Sequence, residues 1–291
     1  MGSGKRASSG PEDKAYTFSV PSAPSLLDEN GRMAYLRDHF WDNFDFDDPS
    51  IPARVDSSAL SSSFLNSMSL LIEDKEIGAE RMADLMEKAS SSEQMYSLFS
   101  SLTESFLHNP NSPFRDDILF LPVLDSRAGS QYLSEEERAK AAESAQLAAR
   151  NNVGQQAEDF TYITIQGKPG SLYGLKAEYT LIFFNNPGCS MCADIRTAMK
   201  ESKRISYMIE SGRMKILGVY PDEDTALWES YRDEIPPTWI NARDPGCVIY
   251  ESQLYDLKAI PSLYLLDSGK KVILKDCTDV SVLESALASV L

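Results

Sequence analysis

The apolar run Thr180-Leu181-Ile182-Phe183-Phe184 leads through Asn185-Asn186-Pro187-Gly188 into Cys189-Ser190-Met191-Cys192. That order leaves the chain few options. The run is short and apolar throughout, as a buried strand is; the Pro-Gly pair turns it, and the cysteines open the helix that follows. At a helix N-terminus, unpaired backbone N–H groups and the helix dipole stabilise a thiolate, the form of cysteine that attacks disulfides. The two-residue spacing also lets the second sulfur reach back and close a small disulfide with the first.

Zinc sites use the same spacing, but a structural site needs four ligands. The other candidates, Cys247, Cys277, His39 and His108, are isolated in sequence and none is paired at ligand spacing. Zinc is therefore the weaker reading, and neither a metal nor a cofactor is expected. Two ordinary buried cysteines are the plain alternative, and the strand-to-helix position speaks against it.

A second constraint lies downstream, in Tyr255-Asp256-Leu257-Lys258-Ala259-Ile260-Pro261-Ser262-Leu263-Tyr264-Leu265-Leu266, followed by Asp267-Ser268-Gly269-Lys270 and Val272-Ile273-Leu274. Proline lacks a ladder donor and ordinarily demotes a strand. Here the apolar run continues strongly beyond it, so the segment reads as a β-hairpin, and a cis bond before Pro261 resolves the conflict.

These features together, with a final helix, resemble the thioredoxin superfamily. Val153-Gly154-Gln155-Gln156-Ala157-Glu158-Asp159-Phe160, with Gln166-Gly167-Lys168 and Ser171-Leu172, resembles the opening hairpin of its TlpA/ResA-type branch of envelope thiol–disulfide oxidoreductases. Tyr220-Pro221-Asp222-Glu223-Asp224, Trp228 and Pro237-Thr238-Trp239-Ile240-Asn241 are similar to a group of Bacteroidetes lipoproteins in which a helical domain of unknown function precedes the thioredoxin-like domain. His39-Phe40-Trp41-Asp42 and Asn111-Ser112-Pro113-Phe114-Arg115-Asp116 fit that group's pattern.

The resemblance implies an α/β thioredoxin-like fold in the C-terminal domain and a thiol–disulfide oxidoreductase of the cell envelope, working on protein disulfides in the reducing direction. Cys189 is then the attacking thiolate and Cys192 the resolving thiol, while Ile260 and Pro261 hold the substrate strand. The partners implied are a protein or peptide thiol/disulfide substrate and an upstream thiol electron donor. The sequence also departs from the family. Gly188 stands where Trp is usual, Ser190-Met191 replaces Gly-Pro, Phe183 replaces a strand Asp, and Glu158 stands where the branch commonly has proline. A proton acceptor for Cys192 is not visible in the sequence. The alternative is an envelope binding or sensor lipoprotein that uses the thioredoxin fold as a scaffold.

The chain has 291 residues and a net charge of −16, which argues against nucleic acid and anionic lipid as partners. No apolar run approaches the ~20 residues needed to span a bilayer, so a membrane is reached only through a possible N-terminal lipid anchor. Gly2-Ser3-Gly4 suits a mature lipoprotein start with Met1 in place of the lipidated cysteine, and equally suits a cloning remnant. Three segments are expected: a disordered tether over 1–24, a mostly α-helical domain over 25–150, and the thioredoxin-like domain over 151–291.

In the second segment apolar residues recur at three- and four-residue steps, as in Phe64, Met68 and Leu71 or Met95, Leu98, Phe99 and Leu102. Asp56 to Ser58 and Ser90 to Glu93 supply N-caps, and Ser134 with Glu137 has capping-box spacing at the start of a helix reaching about 152. In the third segment strands are expected at 161–165, 180–184, 215–220, 262–266 and 271–275, and helices at 190–210, 223–233 and 279–290. The acids after His39 read as a solvated face with the neighbouring aromatics turned inward. Trp228 and Trp239 are candidates for the groove near the thiols, and Cys247 and Cys277 read as buried and inert.

Overall fold

Short polar side chains start most helices of the N-terminal half. Asp28, Asp56, Asp74, Ser92 and Asp116 each accept a backbone N–H two or three residues ahead, which satisfies a donor that the first helical turn leaves unpaired. The computed structural model describes residues 15–289. Within them these caps open α1 (Glu29–His39), α3 (Ser57–Leu71), α4 (Lys75–Ala89), α5 (Glu93–Leu107) and α6 (Asp117–Gly129), with the short α2 (Ile51–Arg54) between α1 and α3. The capping box opens α7 (Glu135–Ala148) as expected, the Glu137 carboxylate accepting from the Ser134 N–H at 2.8 Å while Glu137 N–H donates to Ser134 Oγ at 3.3 Å.

The chain divides into two compact units, Met1–Ala145 and Gln146–Leu291. The first is a helical unit whose core holds Phe64, Met82, Met86, Met95, Phe99 and Phe120, all fully buried. Trp41 and Phe44 meet Phe99 edge-on, each with centroids 5.4 Å apart, so the aromatics after His39 do turn inward. The neighbouring acids Asp42, Asp45 and Asp47 are exposed. Gly78 on α4 lets two backbones approach, since a Cβ there would stand 2.5 Å from the Leu71 carbonyl oxygen.

The expected tether needs correction. Residues 1–14 lie outside the described residues, but 15–24 are anchored. Tyr16 bridges Val55, its N–H donating to Arg54 O at 3.0 Å, and Phe18 stacks on Trp41 with centroids 5.3 Å apart. Two aromatics in a Ser/Pro-rich stretch bury enough apolar surface to override its composition.

The C-terminal unit is an α/β domain. Its strands are β1 (Thr161–Thr164), β2 (Pro169–Ser171), β3 (Tyr179–Phe184), β4 (Met214–Tyr220), β5 (Ile240–Arg243), β6 (Ser262–Leu266) and β7 (Val272–Cys277), in one mixed sheet of order β2-β1-β5-β4-β3-β6-β7. β3 runs parallel to β4 and antiparallel to β6. Its helices are α8 (Ser190–Glu201), α9 (Lys203–Glu210), α10 (Thr225–Ser230), α11 (Val248–Glu251) and α12 (Val280–Ser289).

Both faces of β3 are covered, which explains its uninterrupted apolar run. Leu181 and Phe183 enter one core with Met199, Ile205 and Leu283, whereas Ile182 and Phe184 enter the other with Tyr255 and Tyr264. The single helix expected over 190–210 is broken at Ser202, whose hydroxyl accepts from Ile205 N–H at 3.2 Å and restarts the chain as α9. β2 is the second arm of the expected opening hairpin, whereas β5 is a strand that the sequence reading did not place.

Candidate redox site beside the cis-proline loop

The cysteine pair sits at the C-terminal end of β3, where the strand leaves the sheet. Asn185 holds the exit, its N–H donating to Val219 O at 3.0 Å and its Nδ2 to Phe183 O at 3.0 Å. Gly188 then turns at φ +70°, a left-handed conformation that side chains disfavour. A Cβ at this position would lie 3.5 Å from the Tyr231 hydroxyl oxygen.

Cys189 is the N-cap of α8, and its Sγ accepts from Cys192 N–H at 3.1 Å. The two sulfurs form a disulfide, with their Cα atoms 5.2 Å apart. The partners differ in access. Cys189 is half-buried, whereas Cys192 is 1 % exposed and belongs to the apolar core with Phe183, Ile195 and Leu263. Phe183 fills its place with a ring that meets Trp239 edge-on, so no carboxylate occupies that strand position.

The Ile260–Pro261 peptide is cis, which is how the chain reconciles a proline with the strand that starts at Ser262. The loop brings the Ile260 carbonyl oxygen to 3.9 Å from Cys189 Sγ. Pro261 is buried and Ile260 half-buried. Residues some seventy positions apart in the chain are thus neighbours in the fold.

A groove of about 180 Å³ opens beside Cys189. It is lined by Asn186, Ser190 and Arg196 and by Trp228, Tyr231 and Glu234 from the segment after β4. Trp228 Nε1 donates to Asn241 Oδ1 at 2.9 Å, and Arg196 pairs with Glu234 at 2.5 Å. Of the two candidate tryptophans, Trp228 lines the groove beside Cys189, whereas Trp239 is a core residue packed on Phe183. Arg196 had a legible signal, standing four and seven residues after the cysteines on one face of α8. Tyr231, Glu234 and Asn241 had none, because only the path of the chain after β4 brings them here.

Cys277 is buried as expected, but Cys247 is half-exposed at the start of α11 with φ +53°. Burial pushes its thiol pKa up, and the carboxylates of Asp244, Asp222, Glu223 and Glu251 push it further. Each of these effects disfavours the reactive thiolate.

A crystal structure of a thioredoxin-like protein from Bacteroides caccae is similar along almost its entire length, with a TM-score of 0.89 and 33% identity over 95% of this chain and 99% of that one. Residues 3–151 match the family model described as Domain of unknown function (DUF5106). The chain belongs to the DUF5106-bearing thioredoxin-like proteins. The chain is also similar to the C-terminal domain of an uncharacterized protein from Bacteroides fragilis, at 43% identity over 48% of this chain and 99% of that one, TM-score 0.47. The thioredoxin domain of a thiol-disulfide oxidoreductase from Bacteroides vulgatus is more distant, at 22% identity over 48% of this chain and 98% of that one, TM-score 0.42. No curated protein matches the chain.

Proposed function

We propose that this member of the family is a thiol–disulfide oxidoreductase acting on protein disulfides, and that it works as a reductase. The reading is carried by one observation: a disulfide at the N-terminus of α8 with one sulfur accessible, the other shielded, and a cis-proline loop beside the accessible one. Cys189 attacks as a thiolate, helped by the Cys192 N–H that points at its sulfur. The resulting mixed disulfide is resolved by Cys192, which closes the protein disulfide and releases the substrate as a thiol. Ile260 and Pro261 line the approach to Cys189 and hold the substrate strand. An upstream thiol donor then returns the pair to the dithiol.

The compartment proposed is the cell envelope, where disulfides persist, with a lipid anchor at the native N-terminus. Among the described residues no helix is long and apolar enough to cross a membrane.

Insulin reduction driven by dithiothreitol tests the activity, with Cys189→Ser expected to abolish it. Wild-type protein that leaves insulin intact would sink the reductase reading. The scaffold alternative draws support from Phe183, which leaves Cys192 without the usual carboxylate neighbour. A Cys189–Cys192 bond that stays closed under mild reductant would favour it. The reduction potential of the pair decides direction: below roughly −250 mV marks a reductase and above roughly −150 mV an oxidant.

A further inference from the structure

Two aromatic side chains line the groove beside Cys189, and they differ in what their polar ends do. Trp228 commits its N–H to Asn241, whereas the Tyr231 hydroxyl has no hydrogen-bond partner among the described residues. That hydroxyl lies over the turn into the cysteine pair, 3.5 Å from where a Cβ would stand at Gly188, the residue before Cys189. Glycine leaves this ground to the phenol. Tyr231 is 39 % exposed, so a molecule entering the groove can reach it.

The ring is placed by its neighbours. Tyr231 N–H donates to Trp228 O at 3.2 Å, and its own carbonyl accepts from Glu234 N–H at 3.0 Å. Trp228 is tied in turn to Asn241 of β5, and Glu234 to Arg196 of α8. Tyr231 is thus fixed on one side to the sheet and on the other to the helix that carries Cys189. A side chain with two rotatable torsions loses little entropy when ordered there.

Exchange at Cys189 needs a donor in this position. Cys189 Sγ accepts from Cys192 N–H, and Cys192 fills the buried side. A substrate sulfur bonded to Cys189 lies about 2 Å from Sγ, towards the groove, and has to depart as a thiolate.

We propose that Tyr231 is a catalytic residue, its hydroxyl donating a hydrogen bond to the substrate sulfur as Cys192 displaces it. This rests on the proposed exchange and concerns its resolving step. Cys192, as thiolate, attacks Cys189 Sγ; the Cys189–Cys192 bond forms, the bond from Cys189 to the substrate breaks, and the electron pair leaves on the substrate sulfur. The protein dithiol is oxidised and the substrate disulfide reduced. The departing thiolate takes its proton from water, and Tyr231 keeps its own. A sulfur leaves faster the less basic it is, so a donor matters most for an alkyl thiolate and least for an aryl one.

The test uses full-length protein, reduced with dithiothreitol and then freed of it, with two symmetrical disulfides: the cystine dimer of a short peptide and the disulfide of thionitrobenzoate. Each leaves one sulfur on Cys189, and Cys192 resolves the adduct. Acid quenching and mass spectrometry follow that adduct in time.

Tyr231→Phe keeps the ring and is expected to resolve the peptide adduct about tenfold more slowly, the size of one hydrogen bond made in the transition state. The thionitrobenzoate adduct should slow by no more than about twofold, because its thiolate leaves readily unaided. Equal slowing of both adducts, the mark of a disturbed groove, would overturn the proposal, as would a wild-type rate with the peptide. So would the same selective loss in Ser190→Ala instead, Ser190 being the other hydroxyl in the lining. Wild-type protein that forms no adduct from either disulfide would remove the exchange reading itself, and this proposal with it.

Discussion

The hydrogen bond from Trp228 to Asn241 is the anchor of the groove wall, and its loss has a calculable signature. Trp228→Phe keeps a ring in place but removes the donor. Asn241 is 8 % exposed, so its Oδ1 is left as a buried, unpaired acceptor, which costs about 1–3 kcal/mol. The Arg243 guanidinium, 5.9 Å from the centroid of the Trp228 ring, keeps a weaker contact with a phenyl face, so only part of about 0.5–1 kcal/mol adds to the loss. Asn241→Leu orphans the indole N–H instead, and also the Arg232 carbonyl that Asn241 Nδ2 reaches at 3.3 Å.

Either single change should therefore cost about 2–3 kcal/mol. The double variant brings two apolar groups together and should cost less than the sum, with a coupling of about 1–2 kcal/mol. Urea unfolding followed by tryptophan emission in a Trp41→Phe background reads this, because the remaining tryptophans all lie in the C-terminal unit. The singles should also slow exchange at Cys189, since Trp228 and Asn241 line the same groove as that sulfur. Coupling below about 0.5 kcal/mol, the usual tolerance for independent sites, would refute the claim that this bond braces the groove.

Other outcomes follow from the same geometry. In the reduced protein, alkylation at neutral pH should label Cys189 first by mass spectrometry, with Cys192 and Cys277 slow through burial and Cys247 slow because its thiol is pushed up; early labelling of Cys247 would contradict this. In Cys192→Ser the mixed disulfide with substrate should accumulate on Cys189, and its appearance on Cys247 or Cys277 would overturn the assignment of roles. Gly188→Ala should destabilise by about 1–2 kcal/mol in thermal or urea unfolding, from the left-handed φ alone, since its Cβ would make only an ordinary contact with Tyr231.

Asp279 stands ahead of α12 and accepts from Ser281 N–H at 2.7 Å, and the Ser281 hydroxyl and N–H hold its carboxyl below the usual range. A depressed carboxylate stabilises the fold above its unfolded pKa of about 3.9, and that contribution disappears as pH falls through the lower folded value. Asp279→Ala should thus cost about 1 kcal/mol at neutral pH and show a shallower acid loss than the wild type in pH-dependent melting.

The chain announces much of its thioredoxin-like half through local signals. An apolar run, a Pro-Gly turn and a cysteine pair at two-residue spacing suffice to place a strand, a turn and a helix N-cap. Pro261 ahead of Ser262–Leu266 demands the cis bond for the same reason: the conflict between a proline and a strong strand is written in neighbouring residues. The caps at Asp56, Ser92 and Ser134 were equally legible, because a cap is satisfied within three residues of itself.

What stayed hidden depends on contacts between distant parts of the chain. β5 is four residues, Ile240-Asn241-Ala242-Arg243, with no alternation to read; it is a strand because β4 and β1 flank it and take up its backbone hydrogen bonds. The break between α8 and α9 turns on Ser202, whose hydroxyl serves both the cap of α9 and Glu284 on α12. Residues 15–24 look like a tether by composition and are held by Tyr16 and Phe18 finding Phe44 and Trp41. The groove is the extreme case. Cys189 and Arg196 come from α8, Tyr231 from the turn after α10 and Asn241 from β5, and only the parallel crossover from β3 through β4 to β5 lays them around one opening. A sequence specifies directly what its near neighbours can satisfy; a site assembled from separate elements exists only once the sheet has fixed where each of them ends.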